Sequence, residues 1–217
     1  MNKAVVLLSG GLDSSTTLFF AQFKGYDCHC LGFDYGQRHK KELISARKIA
    51  LKAKCPFEIV TIGLPWKGSA LLDKTVKMPH HRSLTAKDIP VTYVPARNII
   101  FLSFAASYAE AIGAKHIFIG ANAVDYSGYP DCRPAFIKAY QAMLAQGLKT
   151  GVQGKIIKVE TPLIHLSKKQ IIKLATRLKV PLSLTWPCYQ GGKKPCGQCD
   201  SCRLREKGFQ DAGINER

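Results

Sequence analysis

Unbroken apolar runs alternate with stretches of helical period along most of the chain. Residues 4–8 (AVVLL) are apolar without interruption, the pattern of a strand covered on both faces. A helix is predicted over 14–23, a second strand over 28–34 (CHCLGFD) and a helix over 40–53, with Leu43, Ile44, Ala46, Ile49 and Ala50 on its apolar side. Residues 57–62 read as a third strand. The stretch 98–112 is apolar nearly all round, so a central helix is expected there, ending at Gly113. A fourth strand over 116–120 follows, then a helix over 134–146 opened by Pro134, then a fifth strand over 156–159. Ser167-Lys168-Lys169-Gln170 has the form of a capping box for a helix running to Leu178, and residues 203–207 begin a short terminal helix.

Strand–helix alternation of this kind predicts an α/β fold, a Rossmann-like three-layer sandwich whose five-stranded sheet is mostly parallel. Such a sheet binds ligands at the carboxyl ends of its strands. Residues 63–98 break the rhythm with prolines at 65, 79, 90 and 95, and read as an excursion over that edge, a flexible lid. Loops with Pro181, Pro187, Gly191, Gly192 and Pro195 surround a group of cysteines near the end. The expected division is an α/β domain over 1–180 and a small four-cysteine module over 181–217.

Composition narrows the class. A 217-residue chain with 46% hydrophobic and 22% charged residues can bury a full core without staples. Its apolar stretches are too short or too interrupted to span a membrane, and Met1-Asn2-Lys3 leads directly into the first strand, so a cytoplasmic location is expected. The formal charge of +17 points to polyanions. Nine Lys/Arg against the single acid Glu160 lie between Lys138 and Lys179, which suits either nucleic acid or a basic surface around a nucleotide site.

Candidate chemistry begins at Ser9-Gly10-Gly11-Leu12-Asp13, between the first strand and the first helix. Adjacent glycines let backbone amides approach an anion closely, Ser9, Ser14 and Ser15 add hydroxyls, and the helix start turns free N–H groups to the same place. The turn is a phosphate cradle, although it has neither the GxxxxGK[ST] nor the GxGxxG form. Lys168 and Lys169 read as a solvated helix start or as an anion contact, and His39 and Lys40 as exposed loop or phosphate contacts. After the fourth strand, the loop 121–133 holds tyrosines able to stack on a flat heterocycle and aspartates able to accept the paired N–H donors of a guanine-like edge. Arg97 and Arg133 could clamp a carboxylate or phosphate. Cys188, Cys196, Cys199 and Cys202, spaced C-x7-C-x2-C-x2-C, suit tetrahedral zinc, and a C-x2-C-x2-C run also serves iron–sulfur clusters.

The string SGGLDSS resembles the signature of the PP-loop ATP pyrophosphatases. Together with DYGQRH at 34–39, VPARN at 94–98, DYSGYPDCR at 125–133, TPL at 161–163 and CGQCDSCRLR at 196–205, the chain resembles the 7-cyano-7-deazaguanine synthase family of the queuosine pathway. Only the Trp186-Pro187 pair departs locally from that pattern. The resemblance implies an adenine nucleotide alpha hydrolase-like sheet and cleavage of ATP to AMP and pyrophosphate. It further implies that Leu8, Ser9, Gly10, Gly11, Leu12, Asp13, Ser14, Ser15, Thr16, Thr17 and Leu18 bind ATP, with Ser9, Asp13 and Ser14 at the reacting phosphates and Mg²⁺ near Asp13. Arg97, Asn98, Asp125, Tyr126, Asp131 and Arg133 become the substrate residues, and the four cysteines hold one structural Zn²⁺. The implied substrates are 7-carboxy-7-deazaguanine, ATP and ammonia, with no stable nucleic-acid partner, no membrane and a homodimer as the assembly. A PP-loop enzyme acting on tRNA and a non-catalytic nucleic-acid binder with a zinc knuckle are the alternatives. The first has no room for a separate RNA-binding domain, and the second leaves the phosphate cradle without a purpose.

Overall fold

Strand β1 (Asn2–Leu7) lies in the middle of the sheet, and its residues 4–7 are buried, as its unbroken apolar run predicts. It pairs in parallel with β2 (Tyr26–Asp34), Ala4 opposite Cys28, and with β4 (His116–Phe118), Val5 opposite Ile117. Strand β3 (Phe57–Thr61) extends the sheet beyond β2, and β5 (Lys158–Glu160) extends it beyond β4. The order is β3-β2-β1-β4-β5 and every pairing is parallel, so the expected mostly parallel sheet is parallel throughout. This computed structural model describes residues 2–80, 82–83, 88–124 and 128–216.

Helices cover both faces. Helices α1 (Leu12–Phe23) and α2 (Lys41–Lys52) enclose Ala4, Val6, Leu8 and Cys30 on one side. On the other, α3 (Arg97–Ile112) and α4 (Pro134–Gly147) pack against Val5, Leu7, Leu31 and Ile117. The chain winds outward from β1 to β3, then crosses back through α3 to β4. That reversal opens a crevice between the carboxyl ends of β1 and β4, the topological switch point where doubly wound sheets take their ligands.

Several boundaries differ from the sequence pattern for local reasons. Helix α1 starts at Leu12, two residues early, because Gly11 is extended and acts as its N-cap. A one-turn helix, α5 (Lys149–Val152), and a later start of β5 escaped the pattern. Helix α6 (Lys168–Arg177) does begin at a full capping box on Ser167 and Gln170. The terminal helix, α7 (Asp200–Ala212), is far longer than expected. Cys199 caps its start, Gly213 ends it at φ +68°, and its buried Phe209 joins Ile171 and Ile172 of α6 in a third apolar cluster.

The excursion before α3 has no regular element among its described residues, yet Ala70, Leu71, Met78 and Val94 are buried in the main core. The Arg38 guanidinium donates to the carbonyl oxygens of Ala70, Asp73 and Val76, pinning the segment to the end of β2. No helix among the described residues is long and apolar enough to cross a membrane.

Candidate active site

The crevice holds a cavity of about 250 Å³ with the glycine–serine turn at one end and an aromatic wall at the other. Gly10 is in the left-handed region at φ +83°, and a Cβ there would stand 2.3 Å from the Glu42 carbonyl oxygen and 2.6 Å from the Ala46 nitrogen. Its first duty is therefore to let the turn sit against α2. Gly11 has only ordinary contacts around its missing Cβ, and its open side borders the cavity. Gly120, at the end of β4, does for α1 what Gly10 does for α2: a Cβ there would lie 2.9 Å from the Ser14 nitrogen.

Hydroxyls in the turn fall into two sets. Ser9 and Ser14 bond to each other through Oγ atoms 3.0 Å apart, the Ser9 N–H donates to Ser14 Oγ at 3.2 Å, and both side chains border the cavity. Ser14 Oγ also reaches the Gly11 carbonyl at 3.2 Å, while the hydroxyls of Ser15, Thr16 and Thr17 donate to the carbonyls of Gly11, Leu12 and Asp13 and these three residues are fully buried. Leu18 is likewise buried in the core between α1 and the sheet, and Leu8 and Leu12 border the cavity. Leu12, Asp13 and Ser14, the first turn of α1, border the same space, where a helix start offers N–H groups without intrahelical partners.

Asp13 meets an ammonium group. Lys168, the first residue of α6, places Nζ 2.9 and 2.8 Å from the two Asp13 carboxylate oxygens, with its side chain 9% exposed. Gly208 of α7 makes room for that lysine, since a Cβ there would come within 2.5 Å of Lys168 Cγ. Asn122 donates to the carbonyls of Leu163 and Leu166, holding the loop that leads into α6. Of the two lysines read as a solvated helix start, only Lys169 is exposed.

Opposite the turn, Arg97 opens α3 directly after Ala96, whose φ of +56° is unusual for a residue with a side chain. Arg97 donates to Tyr35 Oη at 3.4 Å. Phe33 and Phe101 stack with centroids 3.9 Å apart, and Tyr129, held by Thr92 at 2.9 Å, completes the wall with Tyr189. Asn98 also borders the cavity, but Asp131 does not. Its carboxylate accepts the Asn98 backbone N–H at 3.1 Å and so caps α3. Burial pushes the Asp131 carboxyl above the usual range. Arg133 is exposed at the N-cap of α4. Asp125 and Tyr126 lie outside the described residues.

The four cysteine sulfurs lie within 4.8 Å of one another. Tetrahedral zinc, with Zn–S near 2.3 Å, sets sulfurs about 3.8 Å apart, whereas a four-iron cube with one cysteine per iron needs a wider spread. Backbone N–H groups of Gln190 and Cys196 donate to Cys188 Sγ, and those of Gln198 and Cys199 to Cys196 Sγ, each at 3.4 Å. The cluster is thus compatible with a zinc site. Trp186 joins it to the glycine–serine turn: its N–H donates to the Gly10 carbonyl and its Nε1 to the Cys188 carbonyl, both at 2.9 Å. Trp186 of the Trp186-Pro187 pair is thus a strap between the cysteine cluster and the turn.

Three contributors escaped the sequence reading. Tyr35 stands in DYGQRH at the end of β2, where position alone could have marked it. Glu42 looks like any acid in a first helical turn, and Tyr189 like any residue of a cysteine loop. Burial pushes the Glu42 carboxyl up to about 7 although Arg97 pulls the other way.

A family model described as Queuosine biosynthesis protein QueC matches residues 3–213. The 7-cyano-7-deazaguanine synthase of Acetivibrio thermocellus is 58% identical over 99% of this chain and 96% of its own. That of Nostoc punctiforme is 54% identical over 98% and 96%. Among solved structures, an NMN synthetase from Francisella tularensis shares the fold, with a TM-score of 0.52 at 15% identity over 100% of this chain and 79% of that one. A match of this identity over nearly every residue makes the chain a member of the QueC family of queuosine biosynthesis proteins.

Proposed function

We propose that the chain converts 7-carboxy-7-deazaguanine and ammonia to 7-cyano-7-deazaguanine at the expense of two ATP, each split to AMP and pyrophosphate. The observation that carries this reading is one cavity with a phosphate turn at one end and an arginine set among aromatic rings at the other. A carboxylate is a poor electrophile. Adenylating it creates a leaving group that ammonia displaces to give an amide, and adenylating the amide oxygen lets AMP depart as the nitrile forms.

In this reading Ser9, Gly11, Ser14 and the first N–H groups of α1 bind the pyrophosphate portion of ATP. Asp13 and Lys168 flank it, the carboxylate suited to the Mg²⁺ that neutralises phosphate charge, the ammonium to an anionic oxygen. Gly10, Ser15, Thr16 and Thr17 shape the turn from behind. Tyr35, Phe33 and Tyr129 offer flat apolar surface to the deazapurine, and Arg97 and Asn98 face its carboxylate. Asp131 acts by holding Asn98, with Asp125, Tyr126 and Arg133 at the substrate loop. Residues 181–217 form a module in which Cys188, Cys196, Cys199 and Cys202 hold one structural Zn²⁺. We read the substrates as free small molecules and the enzyme as a cytoplasmic homodimer.

The test is incubation of purified protein with ATP, Mg²⁺, ammonium and 7-carboxy-7-deazaguanine, with tRNA as the parallel arm. About two AMP per nitrile are expected from the stoichiometry of two adenylations. ADP as the nucleotide product, or pyrophosphate released only with tRNA, would refute the reading.

A further inference from the structure

Two acidic side chains line the cavity. Asp13 is occupied by Lys168, whereas Glu42 has no hydrogen bond or ion pair among the described residues. The backbone of Glu42 is fixed, because its carbonyl abuts Gly10 in the phosphate turn. Its carboxylate stands where the main cavity meets a side chamber of about 30 Å³, which it shares with Tyr35, Gln37, Arg97 and Tyr189. A space of that size holds one or two water-sized molecules. A carboxylate left unpaired at such a junction has a stability cost and no structural return.

We propose that Glu42 takes a proton from an ammonium ion in this side chamber and so delivers neutral ammonia to the acyl adenylate. The inference rests on the function proposed above. Ammonium gives one proton to the Glu42 carboxylate, leaving ammonia and a carboxylic acid. The nitrogen lone pair then attacks the acyl carbon, and the carbon–oxygen bond to AMP breaks with its electron pair on the phosphate. One further N–H proton passes to that departing oxygen, so amide and AMP are the only products, and Glu42 returns its proton to water before the next turnover.

The surroundings favour the neutral pair over the ionic one. The side chamber that Glu42 lines is shared with Tyr35 just beyond β2, Arg38 and His39 of the β2–α2 connection, Arg97 of α3 and Tyr189 of the cysteine segment. Arg38 is committed to three carbonyls, and burial lowers the affinity of His39 for a proton. Arg97 remains as a fixed cation that resists a second one beside it. In a poorly solvated chamber, ammonium and carboxylate therefore resolve to ammonia and acid. A carboxyl group titrating near neutrality, as burial makes this one, is matched to that exchange.

The experiment compares wild type with Glu42→Gln in three assays at pH 7: substrate-dependent ATP–pyrophosphate exchange without ammonia, ammonium-dependent AMP release, and hydroxamate formation with hydroxylamine. Hydroxylamine is already neutral at this pH and needs no base to free its lone pair. We expect ammonium-dependent turnover to fall about 100-fold or more, the usual scale for loss of a general base. Exchange and hydroxamate formation should fall less than tenfold, and raising the pH to 9 should restore much of the variant's ammonium rate. Equal losses in all three assays, or no loss in any, would overturn the proposal. A wild type without exchange or turnover would instead strike at the proposed function itself, a distinguishable failure.

Discussion

Replacing Asp13 by Asn removes the charge that holds a buried ammonium. Lys168 Nζ sits within 2.9 Å of both Asp13 oxygens, and the two side chains are 9% and 20% exposed. Breaking a buried pair by deleting one partner costs about 3–5 kcal/mol, because the survivor stays desolvated without that counter-charge. Asp13 keeps some solvent contact, so we take the low end, about 3 kcal/mol. Domains are typically stable by about 5–15 kcal/mol, so the variant remains folded at room temperature. At about 2–4 °C per kcal/mol for a chain of this size, the melting temperature should drop by about 6–12 °C. Lys168→Met should also destabilise, and the double variant should recover about 1–3 kcal/mol of the summed loss, since it leaves neither charge stranded. Urea unfolding of the four proteins gives this coupling, and AMP formation should be lost in both single variants. Strictly additive effects, within about 0.5 kcal/mol, would refute the pair as an interacting unit.

Other expectations use different readouts. Gly10→Ala forces a Cβ to 2.3 Å from a backbone oxygen at positive φ and should cost about 2–4 kcal/mol in denaturation. Gly11→Ala, with only ordinary contacts, should fold within about 1 kcal/mol of wild type yet bind ATP more weakly in titration calorimetry. Cys199→Ser or prolonged chelation should remove about one equivalent of zinc by elemental analysis and lower the melting temperature, because the cysteines are packed in the main core beside the phosphate turn. Glu42 carries a linked effect on stability. Its carboxyl rises from an ordinary 4.5 to about 7 on folding, so the native state binds the extra proton between those values. The benefit is complete below pH 4.5 and lost as pH climbs through 7. Glu42→Gln should therefore be more stable than wild type at pH 8, by about 3 kcal/mol at most, and show no such gain at pH 4.

Much of the fold was legible in one dimension because burial on both faces leaves an unmistakable mark. Residues 4–8 could only be core, and Ser167–Gln170 names its own helix start; the nearly all-apolar 98–112 reads as central, yet α3 buries only the face with Leu102, Ala105, Ala106 and Ala109 and leaves Ile99 and Phe104 exposed. Terminal helix α7 was harder. Its apolar positions are few and make sense only against Ile171 and Ile172 of α6, a partner the local pattern does not reveal. The site shows the same division. The chemistry of SGGLDSS and of four closely spaced cysteines is local, so residue type and spacing announce it. Asp131 shows the opposite case: a carboxylate oxygen can serve a ligand or a helix N-terminus, and only the fold reveals that it accepts the Asn98 backbone N–H.

What the amino-acid order alone determined, then, is the parallel α/β class, the glycine–serine turn between β1 and α1, the four-cysteine set and the family. Tertiary structure decided which hydroxyls face the cavity, that Lys168 is buried on Asp13, and that Trp186 straps the cysteine cluster to the turn. It also decided that Glu42 stands at the chamber mouth with no hydrogen bond or ion pair among the described residues. These depend on groups far apart in the chain meeting in space, and the desolvation and charge that set their roles exist only once they have met.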